Sequence, residues 1–345
     1  MSGKRTLRTT FVMSGTLVAV LGCGGPQQGA TPSTASPAVF VAATVPLPSM
    51  PAAVAVDPQT HKIYVATPDD NAIAVLDPDT RTIVGTIASA THPVLLQVDA
   101  ARHRLYSVNY ADPDGAGGTI ELIDLTTGQV TATVPVSDRP MLAVDTDADV
   151  AYAVSKKSFT LSVIDPERAT VTSTADIQHD PQSGLSAVTV DPATHTLYVT
   201  DVVQHAVSSV DPNTGATTRV AEVGEQPAAM GLDPATHLLY TLDIGQGQGQ
   251  GAVSVLDAAA RTKVADIPVG YNPSAIAIDS AAHFGYVTNS DGTMSVLDLA
   301  ARSLVSNVTT GRGTVGAAVD PQTHRVYVSN MVDKTLSVIE PSGRH

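Results

Sequence analysis

A twelve-residue pattern recurs seven times in this chain of 345 residues, and its spacing constrains the fold more than any other feature. Residues 319–330 read VDPQTHRVYVSN and residues 56–67 read VDPQTHKIYVAT. Five further copies begin at Val98, Val144, Val190, Leu232 and Ile278. Their acidic residues are Asp57, Asp99, Asp145, Asp191, Asp233, Asp279 and Asp320, separated by 42, 46, 46, 42, 46 and 41 positions. A period of ~40–50 residues is that of a propeller blade built from four strands.

The first unit shows the local logic. An apolar run at 52–57 (AAVAVD) enters the turn Asp57-Pro58-Gln59-Thr60. Proline at the second position suits a type I turn. Residues 62–66, 72–77 and 82–88 are further short, β-rich runs with polar turns between them. Four such runs without a helical period predict an antiparallel meander, with strands a to d in order. Seven meanders predict an all-β chain, a seven-bladed β-propeller of four-stranded antiparallel blades around a central channel.

The ends of the array fit that closure. The last unit stops at its third strand, 337–340 (SVIE). Residues 39–46 (VFVAATVP) precede the first strand a without an a, b or c of their own. This N-terminal strand is expected to close the last blade and so remove an open sheet edge.

Outside the repeats, residues 1–23 read as a lipoprotein signal peptide. Lys4, Arg5 and Arg8 precede an eleven-residue apolar stretch at 11–21, shorter than the ~20 residues that span a bilayer. Gly22-Cys23 resembles the lipobox of bacterial lipoproteins, and Cys23 is the single cysteine of the chain. Lipidation at Cys23 is therefore expected, with ordinary signal-peptidase cleavage as the alternative. Residues 24–37 (GGPQQGATPSTASP) have the composition of a flexible tether. Residues 38–345 then form one propeller domain. The expected location is the periplasmic or extracellular side of the cell envelope, with membrane contact only through the anchor.

The formal charge is −14. Removing the three basic leader residues leaves 16 basic against 33 acidic, a charge of −17. Such a surface repels phosphate backbones and argues against nucleic-acid binding. Lys156 and Lys157 read as a solvated turn.

Tyr286-Val287-Thr288-Asn289 spells YVTN, and 327–330 (YVSN) differs at one position. Third strands at 162–165, 254–257 and 295–298 read SVID or SVLD. With these motifs the chain resembles the YVTN-repeat β-propeller family, in its bacterial lipoprotein form, over residues ~36–340. The resemblance implies the fold. It leaves function open, because the family includes surface-layer, periplasmic and lactonase-like members.

Six histidines (61, 103, 195, 237, 283 and 324) each follow the repeat Asp by four residues; Asp149 takes that place in the third unit. One per blade, they lie too far apart to share a metal ion with bonds of ~2 Å. They are expected to bond the a–b turn or a neighbouring blade. Function is sought where the repeat is broken. Insertions occur at 110–118 (YADPDGAGG), 178–184 (QHDPQSG) and 244–251 (IGQGQGQG). Two are b–c loops and one is a d–a loop, so all three emerge on one rim. Loops varied on one face of a scaffold point to binding there.

The candidate ligand-binding residues lie on that rim. Asn109, Asp201, Asp243, Asn289 and Asn330 end b strands. Tyr110 and His205 belong to b–c connections. His92, Arg139, His179 and Tyr271 belong to d–a loops. Asn and Asp are also ordinary turn residues, and a capping role for them stands beside the binding one. No catalytic residue, metal site or cofactor is assigned: phosphate-loop, nucleophile-elbow and haem-attachment motifs are absent. The expected function is a lipid-anchored binding or scaffold propeller for a protein, glycan or small-molecule ligand. The alternative is a lactonase-like hydrolase at the channel mouth, with His92, Arg139, His179 or His205 polarising a carbonyl or handling protons.

Overall fold

Seven four-stranded antiparallel sheets follow one another along the chain in a computed structural model that describes residues 39–111, 117–245 and 249–342. The leader, Cys23 and the tether lie outside the described residues, as do the tips of two insertions. The innermost strands, one per blade, are Val54–Val56, Pro93–Asp99, Pro140–Asp145, Leu185–Asp191, Pro227–Asp233, Pro273–Asp279 and Thr314–Val319. Each is the free edge of its sheet.

Burial falls from the middle of a blade to its outside. Strand b of the first blade, Ile63–Thr67, is buried along its whole length, and strand d, Thr82–Ala88, is almost entirely exposed. Middle strands are covered on both faces by neighbouring blades, so they read as continuous apolar runs instead of alternating ones. The outer strand meets water and carries Thr and Gly with its few apolar residues.

The core is divided among the seven seams between blades, and each repeat tyrosine fills one. Tyr64 packs with Leu96 and Leu105 of the second blade. Tyr198 packs with Leu239 and Leu256 of the fifth. Tyr327 packs with Ile63 and Val65 of the first, which closes the ring. Burying a side chain of this size contributes about 2 kcal/mol.

A second set of contacts runs across the same seams in the opposite sense. The repeat Asp is buried and caps its own a–b turn; Asp320 Oδ1, for example, accepts the Gln322 N–H at 2.9 Å. In four of the blades its other oxygen meets the histidine of the next blade. His195 Nδ1 lies 2.8 Å from Asp145 Oδ2, His237 Nδ1 lies 3.0 Å from Asp191 Oδ2, and His324 Nδ1 lies 2.5 Å from Asp279 Oδ2. Around the ring, His61 Nδ1 reaches Asp320 Oδ2 at 2.7 Å. All six histidines, and Asp149 in the worn unit, adopt positive φ between 51° and 59°. That conformation ends the turn, and at His61, His195, His237 and His324 the ring meets the neighbouring blade.

The N-terminal strand Val39–Pro46 pairs antiparallel with Thr335–Pro341, from Val39 opposite Pro341 to Pro46 opposite Thr335. It reproduces a detail of the genuine d strands. Strands c and d of the first six blades share a register shift, such as that at Val75/Leu76, and the N-terminal strand has one between Val41 and Ala43. A bulge at this place adds twist to the outer edge. The closing seam is reinforced by Arg81 to Glu340 at 3.1 Å, Arg325 to Asp79 at 3.1 Å and Gln322 Nε2 to the Pro58 carbonyl at 2.7 Å.

Candidate functional site

The strand-b ends divide into two groups. Asn109, Asp243, Asn289 and Asn330 are each at most 1% exposed and face the interior of their blades. In the sixth blade, Asn289 Nδ2 donates to Thr293 Oγ1 and Ser295 Oγ, both at 3.0 Å, and Ser295 donates to Asn307 Oδ1 at 2.7 Å. The seventh blade repeats the arrangement with Asn330, Thr335 and Ser337. In the second blade Asn109 accepts from Ser107 at 2.7 Å, and Glu121 takes the serine position of strand c. Glu121 accepts from the Ser89 hydroxyl at 2.6 Å and the Ala90 N–H at 2.8 Å. These side chains cap turns inside the blades; they do not line the channel mouth.

The fifth blade has acids at both asparagine positions. Ser254 Oγ lies 2.6 Å from Asp243 Oδ2 and 2.9 Å from Asp266 Oδ1. A hydroxyl has one hydrogen for two carboxylates, so a proton on Asp243 relieves the conflict. Burial pushes the Asp243 carboxyl up to about 6, and the charge of Asp266 adds to the rise; bonds from Ser254, Thr241 and the Gly224 N–H oppose it.

Asp201 is half-buried and differs in kind. Burial would raise its pKa, but the Ser183 hydroxyl and the N–H groups of Gln204, Gly184 and Val203 hold it below the usual carboxylate range. It lines a cavity of about 350 Å³ between the 178–184 insertion and the sheet of the fourth blade. His179, Ser183, Gln204 and Arg219 line the same cavity. The His179 ring stacks on Phe159 with centroids 3.8 Å apart. His179 and Asp201 are the two candidates that the structure brings to one cavity here. Gln204 and Arg219 gave no signal in the sequence beyond their places in the fourth blade.

The remaining candidates are dispersed around the rim. His92 anchors its loop through its N–H to Asn71 Oδ1 at 2.8 Å. His205 Nδ1 accepts the Gln226 N–H at 3.2 Å. Tyr271 is 40% exposed, and its N–H lies 3.4 Å from Asp291 Oδ2.

Tyr110 lies at the channel mouth between the second and third blades, close enough to Arg139 to feel its charge, together with Lys156, whose N–H donates to the Arg139 carbonyl at 3.3 Å. Lys156 directly follows strand b of the third blade, Val150–Ser155. Its partner in the doublet, Lys157, lies at the surface as expected and pairs with Asp138 at 3.2 Å. Lys156 instead lines the channel with Tyr110, Leu95 and Met141. Its side chain reaches channel solvent but is crowded by protein, and that crowding, helped by Arg139, lowers its pKa. Its position, one step past the strand-b end like Tyr110, was the available signal. Among the described residues, no group of three or more His, Cys, Asp or Glu side chains is placed to hold a metal ion.

The fold is that of a seven-bladed β-propeller. A chain of hydrazine synthase from Kuenenia stuttgartiensis superposes with a TM-score of 0.72 at 17% identity, covering 86% of this chain and 96% of that one. At that identity the likeness shows the fold alone. No family model matches the chain, and no curated relative matches it.

Proposed function

We propose that this protein is a lipid-anchored, extracytoplasmic binding propeller of the YVTN-repeat type, which engages its partner through the rim that carries the insertions. The observation that carries this reading is the gathering of the three insertions on one side. Four of the a–b turns are engaged in histidine–aspartate contacts, whereas the insertions, the blade-four cavity and the Tyr110 and Lys156 group belong to the other rim. The blade-four cavity, about 350 Å³, is of the size of small-molecule sites, ~300 Å³ and above. The leader and the cysteine at its end support export and anchoring. The hydrolase alternative gains no support from the candidate histidines, since His92, His179 and His205 are held in separate turns by separate partners.

The test is replacement of 110–118, 178–184 and 244–251 by the short turns of the other blades. Grafts that keep the melting temperature of the parent should lose the envelope components the parent retains. An unchanged set of partners rejects the reading.

A further inference from the structure

The channel itself has a chemistry that the rim reading does not use. Its wall is made by strand a of successive blades, and the residues that line it include Leu95, Met141, Val188, Met230, Ile276 and Ala317. Two adjoining cavities of about 370 and 280 Å³ occupy it, sharing Val94, Leu95, Ala229, Met230 and Ser274. The serines on the wall are already engaged. Ser186 Oγ donates to the Pro227 carbonyl, and Ser274 Oγ lies 2.9 Å from Thr288 Oγ1 and 3.1 Å from the Thr314 carbonyl. The side chains therefore present an apolar lining, and the free edges of the a strands supply the polar groups that remain.

Apolar surface turned toward an enclosed passage is costly in water and favours an apolar occupant. The mouth restricts which occupant. On a chain of net charge −14, Lys156 places a cation at this opening. Among the described residues no carboxylate forms an ion pair with Lys156. A cation crowded by protein is stabilised by an anion at contact distance, and more strongly there than in bulk water. Tyr110 stands at the same opening and offers a flat, amphipathic surface.

We infer that the central channel binds a small amphipathic anion, its apolar body between the strand-a side chains and its acidic head against Lys156. The general surface repels such a molecule, so the channel mouth is the place that selects it. This site shares its mouth with the rim of the proposed function and adds the channel wall to it.

The test uses two matched probes on the full chain, 8-anilinonaphthalene-1-sulfonate and the uncharged N-phenyl-1-naphthylamine, titrated by calorimetry and fluorescence. The sulfonate should bind with one site per chain. Lys156→Met keeps the apolar stem and should weaken the sulfonate at least fivefold while changing the neutral probe less than twofold. Lys156→Arg should restore sulfonate binding. Ala229→Leu, which narrows the channel, should weaken both probes. Unaltered sulfonate affinity in Lys156→Met overturns the proposal, as does an equal loss of both probes. Grafts of 178–184 and 244–251, which leave Tyr110 and Lys156 in place, separate this proposal from the rim reading if they lose their partners but keep the probe site.

Discussion

His61 Nδ1 lies 2.7 Å from Asp320 Oδ2 across 259 positions of sequence, and this contact joins the first blade to the seventh. The carboxylate is buried and also accepts the Thr323 hydroxyl at 2.8 Å and the Gln322 N–H at 2.9 Å. Those donors and His61 hold it below the usual carboxylate range against the upward effect of burial.

Removing the histidine takes a partner from a buried carboxylate, which costs about 1–3 kcal/mol where no other donor reaches that oxygen and less at Asp320, whose Oδ2 keeps the Thr323 hydroxyl. The loss should follow how well water can replace the ring. His324 is 14% exposed, His61 35%, His237 47% and His195 55%. Histidine-to-alanine variants should therefore lose stability most at His324 and least at His195. Chemical denaturation of the four variants checks the order.

Deleting 36–48 removes the strand that pairs with Thr335–Pro341 and exposes the edge beneath it. Val45 and Leu47, both buried in the closing seam, go with it. The variant should melt well below the parent and associate through the new edge. Thermal melts with light scattering measure both effects.

Gly270 approaches the buried Asn289 so closely that a Cβ would sit 2.5 Å from the carboxamide carbon. Neither the loop nor the bonded asparagine has room to move. Gly270→Ala should cost about 1–3 kcal/mol, in the range of overpacked cores. Gly85, whose Cβ would meet nothing nearer than 3.9 Å, serves as the control and should tolerate alanine far better.

Asp243 sets a pH dependence. Its folded pKa is near 6 and its ordinary value is 3.8, so the folded state holds the proton more tightly. Stability from this group is present at low pH and lost as pH rises from about 4 through about 6. Asn stands at the same place in the second, sixth and seventh blades. Asp243→Asn should therefore be more stable than the parent at pH 7, by up to roughly 3 kcal/mol. The advantage should vanish near pH 4. Melting curves of both proteins across that range give the difference directly.

The repeat made the architecture legible because a blade cannot bury its faces alone. Period, strand order and the N-terminal closing strand all followed from counting, and Val39–Pro46 lies where the missing d strand was expected. The role of the histidines was half legible: recurrence marked them as structural, but only three dimensions pair His195 with Asp145. The rim was harder. A strand-end asparagine looks the same in sequence whether it faces a channel or, like Asn289, its own blade. Lys156 looked like half of a solvated doublet because nothing local distinguishes a residue facing a channel from one facing bulk water.

The seams are not fastened alike, and a closed ring opens where it is weakest. Asp57 uses both oxygens within its own turn, on the Gln59 N–H and the Thr60 hydroxyl. Among the described residues, no histidine crosses from the second blade to meet it. The first blade is thus tied to the seventh by ion pairs as well as by apolar packing, and to the second by the packing of Tyr64 with Leu96 and Leu105 and the bonds from Ser89 and Ala90 to Glu121. Salt should therefore loosen the closing joint more than its neighbour.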